Sequence, residues 1–264
     1  MGRPDPRLWA DRSWLQEVQY RTDANLAARQ SIYAYQQPRL NLPARTLDLA
    51  ALTGAEAVAD IGCGNGAYLA ELARRGHAGP VVGVDLSAGM LRAARRRAPR
   101  ATLIAGDAAA LPLRDDASDL TLAMHMLYHV PDPRAAVREL RRITRGQALV
   151  VLNGGDHLRE LRAAVAAVRP RPADSQPGTA GWGVSLDHGA ELLAGEFTTV
   201  TRHDFTSELL VPGPGPVEDY VRSMITTQTR REPEHFVAAV LRQLPRGQDG
   251  TIRIQVHSGC LVAC

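Results

Sequence analysis

The sequence of 264 residues contains no lysine; all 31 of its basic residues are arginine. That removes a Schiff-base amine, a phosphate-loop lysine and a lysine general base. It also excludes a dehydrogenase built on a Tyr-x-x-x-Lys pair. Cysteine is scarce: Cys63, Cys260 and Cys264 follow no zinc-ligand spacing, so no structural metal is expected and a reducing interior suits them. No apolar run approaches the ~20 residues that cross a bilayer. The opening stretch MGRPDPRLWADRSW lacks the apolar segment of a secretory signal, so the expected location is cytoplasmic, with no membrane partner. The net charge is only +3. The arginine clusters at 95–97 and 138–145 fall in helical patterns and read as solvated faces. Nucleic acid would call for a stronger basic field interleaved with aromatics. Aromatic residues make up 5% of the chain.

What is present is a strand–helix rhythm. Residues 12–36 carry apolar residues at helical spacing (Trp14, Leu15, Val18, Leu26, Ile32) and read as one helix. Short apolar strands are then expected at 57–61, 80–85, 101–107, 119–124 and 147–153. Helices separate most of them: NGAYLAELARRG, SAGMLRAARRRAP with Ser87 as N-cap, and DPRAAVRELRRITRG with Asp132 as N-cap and Gly146 at its end. Apolar strands alternating with amphipathic helices give a doubly wound parallel α/β sheet. Past residue 153 the rhythm loosens into helices near 156–169, 186–195, 216–229 and 233–243, with long strands at 197–211 and 251–262. The organisation expected is a single domain over 1–264, with an N-terminal helical lid (1–40) and cap inserts within 154–245.

The sharpest motif is Asp60-Ile61-Gly62-Cys63-Gly64-Asn65-Gly66, between the first strand of the rhythm and its helix. Glycines allow a tight turn and close approach to a ligand. Gly62, Gly64 and Ala67 also satisfy the dinucleotide fingerprint. Three acids separate the readings. Asp60, inside the turn, would repel a pyrophosphate but suits an ammonium. Asp85, ending the second strand, can accept from ribose hydroxyls. Asp107, ending the third, can accept from an adenine amine.

With VADIGCGNGAYLAELA, VVGVDLSAGML, IAGDAAALPL and DLTLAMHMLYHVPDP in this order, residues 56–153 resemble the class I S-adenosylmethionine (SAM) methyltransferases. The resemblance implies a Rossmann-like sheet of seven strands, mostly parallel with one antiparallel strand supplied by 251–262, and a helical cap. It implies SAM as cofactor and S-adenosylhomocysteine (SAH) as product. Gly62, Cys63 and Gly64 would lie against the methionine part, Asp85 at the ribose, and Asp107 with Ala108 at the adenine, flanked by Leu86 and Met90. QYRTDANLAARQSIYAY resembles the entry helix of small-molecule members, whose tyrosine and arginine, here Tyr20 and Arg29, close over the cofactor.

The stretch LAMHMLYH, where the family's fourth strand ends, places His125 and His129 one helical turn apart, so both rings should point the same way. No third ligand is spaced for a metal. The pair is either packing and capping, or an acid–base device. The reading carried forward makes His129 the general base, with His125 beside the cofactor to place or polarise it. Five of the twelve aromatics lie in the first 35 residues. Trp14, Tyr33 and Tyr128, with Trp182, are the candidates to line a flat acceptor. The expected activity is methyl transfer to a small molecule, at a ring carbon of a phenolic or indole-type secondary metabolite. Oxygen or nitrogen methylation is the alternative, and a non-catalytic SAM-binding protein a remote one.

Overall fold

The computed structural model describes residues 10–168, 184–224 and 233–264. The strands are β1 (Gln36–Gln37), β2 (Val58–Ile61), β3 (Val81–Asp85), β4 (Thr102–Ala105), β5 (Ser118–Met124), β6 (Thr144–Asn153), β7 (Val200–Val211) and β8 (Ile252–Ala263). They form one sheet in the order β1-β7-β8-β6-β5-β2-β3-β4. Strands β2 to β6 are mutually parallel, and β8 runs antiparallel to both β6 and β7. These are the seven strands expected. The eighth, β1, adds two residues to the β7 edge.

Helices α1 (Arg12–Trp14), α2 (Ala24–Ser31) and α3 (Leu42–Leu47) precede the parallel strands. Helices α4 (Ala67–Arg74), α5 (Ala88–Arg97) and α6 (Pro133–Ile143) alternate with them. Helices α7 (Arg159–Val168), α8 (Leu186–Ala194), α9 (Gly215–Ser223) and α10 (Pro233–Gln243) follow. The caps are as the sequence suggested: Ser87 accepts from Gly89 and Met90, and Asp132 accepts from Ala135. On α6 the stripe Ala136, Val137, Leu140 and Ile143 is buried against the sheet, the helical spacing of one apolar face. Gly146 does not end this helix. It lies in β6, where a Cβ would stand 2.3 Å from the Asp119 carbonyl, so glycine there answers a close backbone approach.

The chain leaves β2 for β3 and β4 on one side, then crosses to β5 on the other. The switch point therefore lies between the carboxyl ends of β2 and β5, where open α/β sheets bind ligands. Beyond residue 153 the chain builds a second apolar core, with Leu161, Val217, Val221, Val237 and Val240 over Leu209, Ile252 and Ile254. Ile32, from the N-terminal segment, enters that core with no exposed surface. Within 154–245, α8 behaves differently. Its Leu186, Leu192 and Leu193 pack against the main sheet beside α6.

The single helix expected over 12–36 is broken. Residues Leu15–Gln19 form a π turn, α2 starts only at Ala24, and Ile32–Tyr35 is a 3-10 turn. The break at Tyr20–Asp23 is pinned by α5. The Ser87 hydroxyl donates to the Tyr20 carbonyl at 2.7 Å, and Arg21 O would stand 2.1 Å from a Cβ at Gly89. A continuous helix would lose this seat, which is also what turns Tyr20 toward the switch point.

Candidate active site

A cavity of about 230 Å³ occupies the switch point. Its floor is the glycine turn. Gly62, Gly64 and Gly66 all have positive φ (68°, 54° and 79°), a region that costs other residues dearly. A Cβ on Gly62 would stand 2.7 Å from Met126 Cβ, and one on Gly66 2.9 Å from Ala94 Cα. The N–H groups of Gly62 and Cys63 both donate to the Val84 carbonyl, at 2.7 and 3.0 Å, and Gly64 N–H donates to Asp85 Oδ2 at 2.8 Å. These donors are spent inside the protein, so this part of the turn offers a pyrophosphate nothing. Cys63 is buried and burial pushes its thiol up, which keeps it a neutral packing group.

Asp60 is 1% exposed, and neither carboxylate oxygen has a hydrogen-bond partner. Burial, reinforced by the nearby Asp85 charge, pushes its carboxyl up to about 8. A buried carboxylate without a donor costs several kcal/mol unless it is protonated or meets a cation. Asp85 accepts from the backbone N–H of Ser87 as well as Gly64, both at 2.8 Å. Burial still holds it above the usual carboxylate range. Leu86, Met90, Gly106, Asp107 and Ala108 continue the wall away from Asp60. Asp107 accepts from Ala109 N–H at 3.0 Å and forms an ion pair with Arg12. Gln16 donates to the Leu86 carbonyl at 2.8 Å. Residues of the N-terminal segment thus clasp this end of the cavity.

The opposite end is built around the histidine pair, though not on a shared helical face. His125 follows the last residue of β5 with φ +56°, and only a 3-10 turn, Leu127–His129, comes after it. The left-handed residue redirects the chain, so spacing of one α-helical turn does not set the ring directions. Both histidines line the cavity. Burial pushes His125 down to about 4, which makes it a neutral polar group and a weak base. His129 Nε2 lies 2.9 Å from the Tyr20 hydroxyl, and its ring meets those of Tyr20 and Tyr128 edge-on, at 5.5 and 4.6 Å between centroids. Arg29 donates through Nη2 to the Tyr20 hydroxyl at 3.1 Å and through Nη1 to the Ser223 carbonyl at 3.4 Å. Asn65, in the glycine turn, donates to Gln30 on α2 at 3.1 Å.

Tyr20, Arg29 and Tyr128 therefore join the cavity with His125 and His129. Trp14 and Tyr33 do not line it. Trp14 is buried in the N-terminal segment, and Tyr33 pairs with His157 Nε2 at 3.2 Å. Trp182 lies outside the described residues. Sequence reasoning missed Gln16, Gln19 and Ser223 around the N-terminal segment, and it missed His157 and His257. His157 Nδ1 accepts from the His257 backbone N–H at 3.2 Å, and His257 bridges Asp156 and Asp204. None of these carries a motif, and Ser223 contributes only a carbonyl. Among the described residues, no group of three or more His, Cys, Asp or Glu is placed to hold a metal ion.

Strand order and a glycine turn at the switch point define the class I methyltransferase fold. Residues 59–152 match the family described as "Methyltransferase domain". The chain is 38% identical over 116 residues to a malonyl-[acyl-carrier protein] O-methyltransferase of Halorhodospira halophila (42% of this chain, 39% of the relative). It is 40% identical over 102 residues to a demethylmenaquinone methyltransferase of Roseiflexus castenholzii (38% and 43%). The chain spans well under half the length of these curated relatives. A solved Bacillus halodurans C-125 protein, described as a candidate methyltransferase, superposes with a TM-score of 0.62 at 19% identity, over 85% of this chain and 98% of that one. That likeness is one of fold. No helix among the described residues is long and apolar enough to cross a membrane.

Proposed function

We propose that the chain is a SAM-dependent methyltransferase acting on a small, flat acceptor, with His129 as its general base. The observation that carries the cofactor reading is Asp60. Its two buried oxygens lack donors, which is what the ammonium of an amino-acid moiety supplies. Asp85 retains lone pairs for ribose hydroxyls beyond its two backbone bonds, and Leu86, Met90 and Ala108 offer apolar surface to a base. When bound, the cofactor supplies an electrophilic methyl on a sulfonium. The chain's part is to hold the acceptor in line, exclude water and remove a proton where the acceptor carries one.

The ring-lined end, with Tyr20, Tyr128 and His129, favours an aromatic acceptor over an aliphatic one, and one of the relatives is named for a quinone. A phenolic or indole-type ring whose carbon becomes nucleophilic on deprotonation fits best. Among the described residues, the cavity wall holds two arginines, Arg12 and Arg29, and Arg12 is paired with Asp107, which argues against nucleic acid. Incubation with methyl-labelled SAM and a panel of phenols, indoles, amines and thioesters tests the class. Labelling of phenols or indoles supports it, and labelling confined to amines or thioesters removes the base from the account. His129→Ala should lower kcat by about 10²–10⁴-fold while SAH affinity changes less than about threefold. Retention of kcat would make the histidine a packing residue.

A further inference from the structure

We infer that Tyr20 is the group that meets the acceptor's proton, and that His129 receives it only through Tyr20, with Arg29 fixing the direction of the relay. The inference rests on the reading of His129 as base. A guanidinium only donates, so the bond from Arg29 Nη2 uses one lone pair of the Tyr20 oxygen. The hydroxyl hydrogen must then find an acceptor. Among the described residues, the partner within reach is His129 Nε2 at 2.9 Å. Tyr20 therefore donates to Nε2, and the ring is the tautomer with its proton on Nδ1.

That tautomer has a single basic lone pair, and Tyr20 already occupies it. An acceptor O–H cannot reach that lone pair while the Tyr20 bond stands. It can reach the second lone pair of the Tyr20 oxygen, since Tyr20 itself lines the cavity. The steps balance. The acceptor's proton passes to Tyr20 Oη as the tyrosine's own proton passes to His129 Nε2. This leaves a neutral tyrosine, an imidazolium and an acceptor electron pair free to form the new bond. Arg29, held by the Ser223 carbonyl and 5.5 Å from the centre of the Tyr20 ring, is a positioning residue. Its charge also favours negative charge on the tyrosine oxygen during the transfer. Asp85, from the end of β3, opposes that charge. Arg29 and His129 thus both have to contact the hydroxyl, as they do.

Two measurements test this. In ¹⁵N NMR of the full chain saturated with SAH, His129 should be protonated on Nδ1, and Tyr20→Phe should shift its Nε2 signal. A wild-type ring protonated on Nε2 overturns the relay whatever the turnover shows. With labelled SAM and 1,4-naphthohydroquinone as probe, Tyr20→Phe should lower kcat by about 10²–10⁴-fold, as His129→Ala does. The double variant should be no slower than either single one. Loss in His129→Ala with normal turnover in Tyr20→Phe overturns the relay and leaves the base in place. Normal turnover in both overturns the base reading itself.

Discussion

The two ends of the cavity are built in different ways. The Asp60 end is built on one contiguous stretch, 56–153, and its parts are backbone devices: a turn at positive φ, strand ends, and Asp85 held by the backbone N–H groups of Gly64 and Ser87. The His129 end is assembled from afar. Tyr20 reaches 109 residues along the chain to His129, and Arg29 reaches 194 to Ser223. The first kind of construction tolerates little change of shape and fixes one ligand. The second can be altered one side chain at a time, so it is the end that can change without disturbing the fold.

The sharpest way to break the Asp60 end is Gly62→Val. A β-branched residue at φ +68° with Met126 in its path should cost about 3 kcal/mol or more. SAH affinity should fall at least about 100-fold by calorimetry, with a lower melting temperature. Wild-type affinity would mean that the turn is not the floor of the site.

A smaller effect is expected beyond the cavity, at the bridge that ties β7 and β8 to the loop after β6. Burial lowers the His257 pKa, but hydrogen bonds to Asp204 and Asp156 outweigh it, and the net shift is upward. A raised folded pKa means stability that is fully present below the unfolded value, near 6.5, and lost as pH rises through the folded value. The partners Asp156 and Asp204 are held below the usual carboxylate range, so they stay charged through that window. His257→Ala should cost about 1–2 kcal/mol near pH 5.5 and less at pH 8.5, read as melting temperature against pH. A pH-independent loss would show that the ring only packs, over Gly154. The smallest effect belongs to the clasp at the Asp107 end. Arg12 is half exposed, so Arg12→Ala should change stability by less than about 1 kcal/mol. SAH release should become faster in stopped-flow. An unchanged rate would mean that the segment moves without breaking this pair.

The same contrast explains what the sequence disclosed. Asp60, Gly62, Gly64, Asp85 and Asp107 stand at strand ends fixed by a short-range pattern, and they surround one cavity. The parallel strands, β8 and the caps at Ser87 and Asp132 were legible for the same reason, since each is written in a few neighbouring residues. The ring directions of His125 and His129 were not, because a non-glycine residue at φ +56° has no composition signal. The break at Tyr20–Asp23 is imposed by α5, far along the chain, so helical periodicity read straight through it. His157, His257 and Ser223 acquire partners only once β7, β8 and α9 are in place. Tyr33 was expected at the acceptor; it packs instead against the second apolar core and bonds His157.

The pairing of Asp60 with an ammonium is tested most directly by titrating SAH into the protein at pH 7 in two buffers of different ionisation enthalpy. A carboxyl raised to about 8 is mostly protonated before binding, and the arriving ammonium should ionise it. The expected result is binding with release of close to one proton, and no release in Asp60→Asn. Binding without proton release would place the ammonium elsewhere, and the absence of binding, with NAD binding tightly in its place, would contradict the methyltransferase account itself.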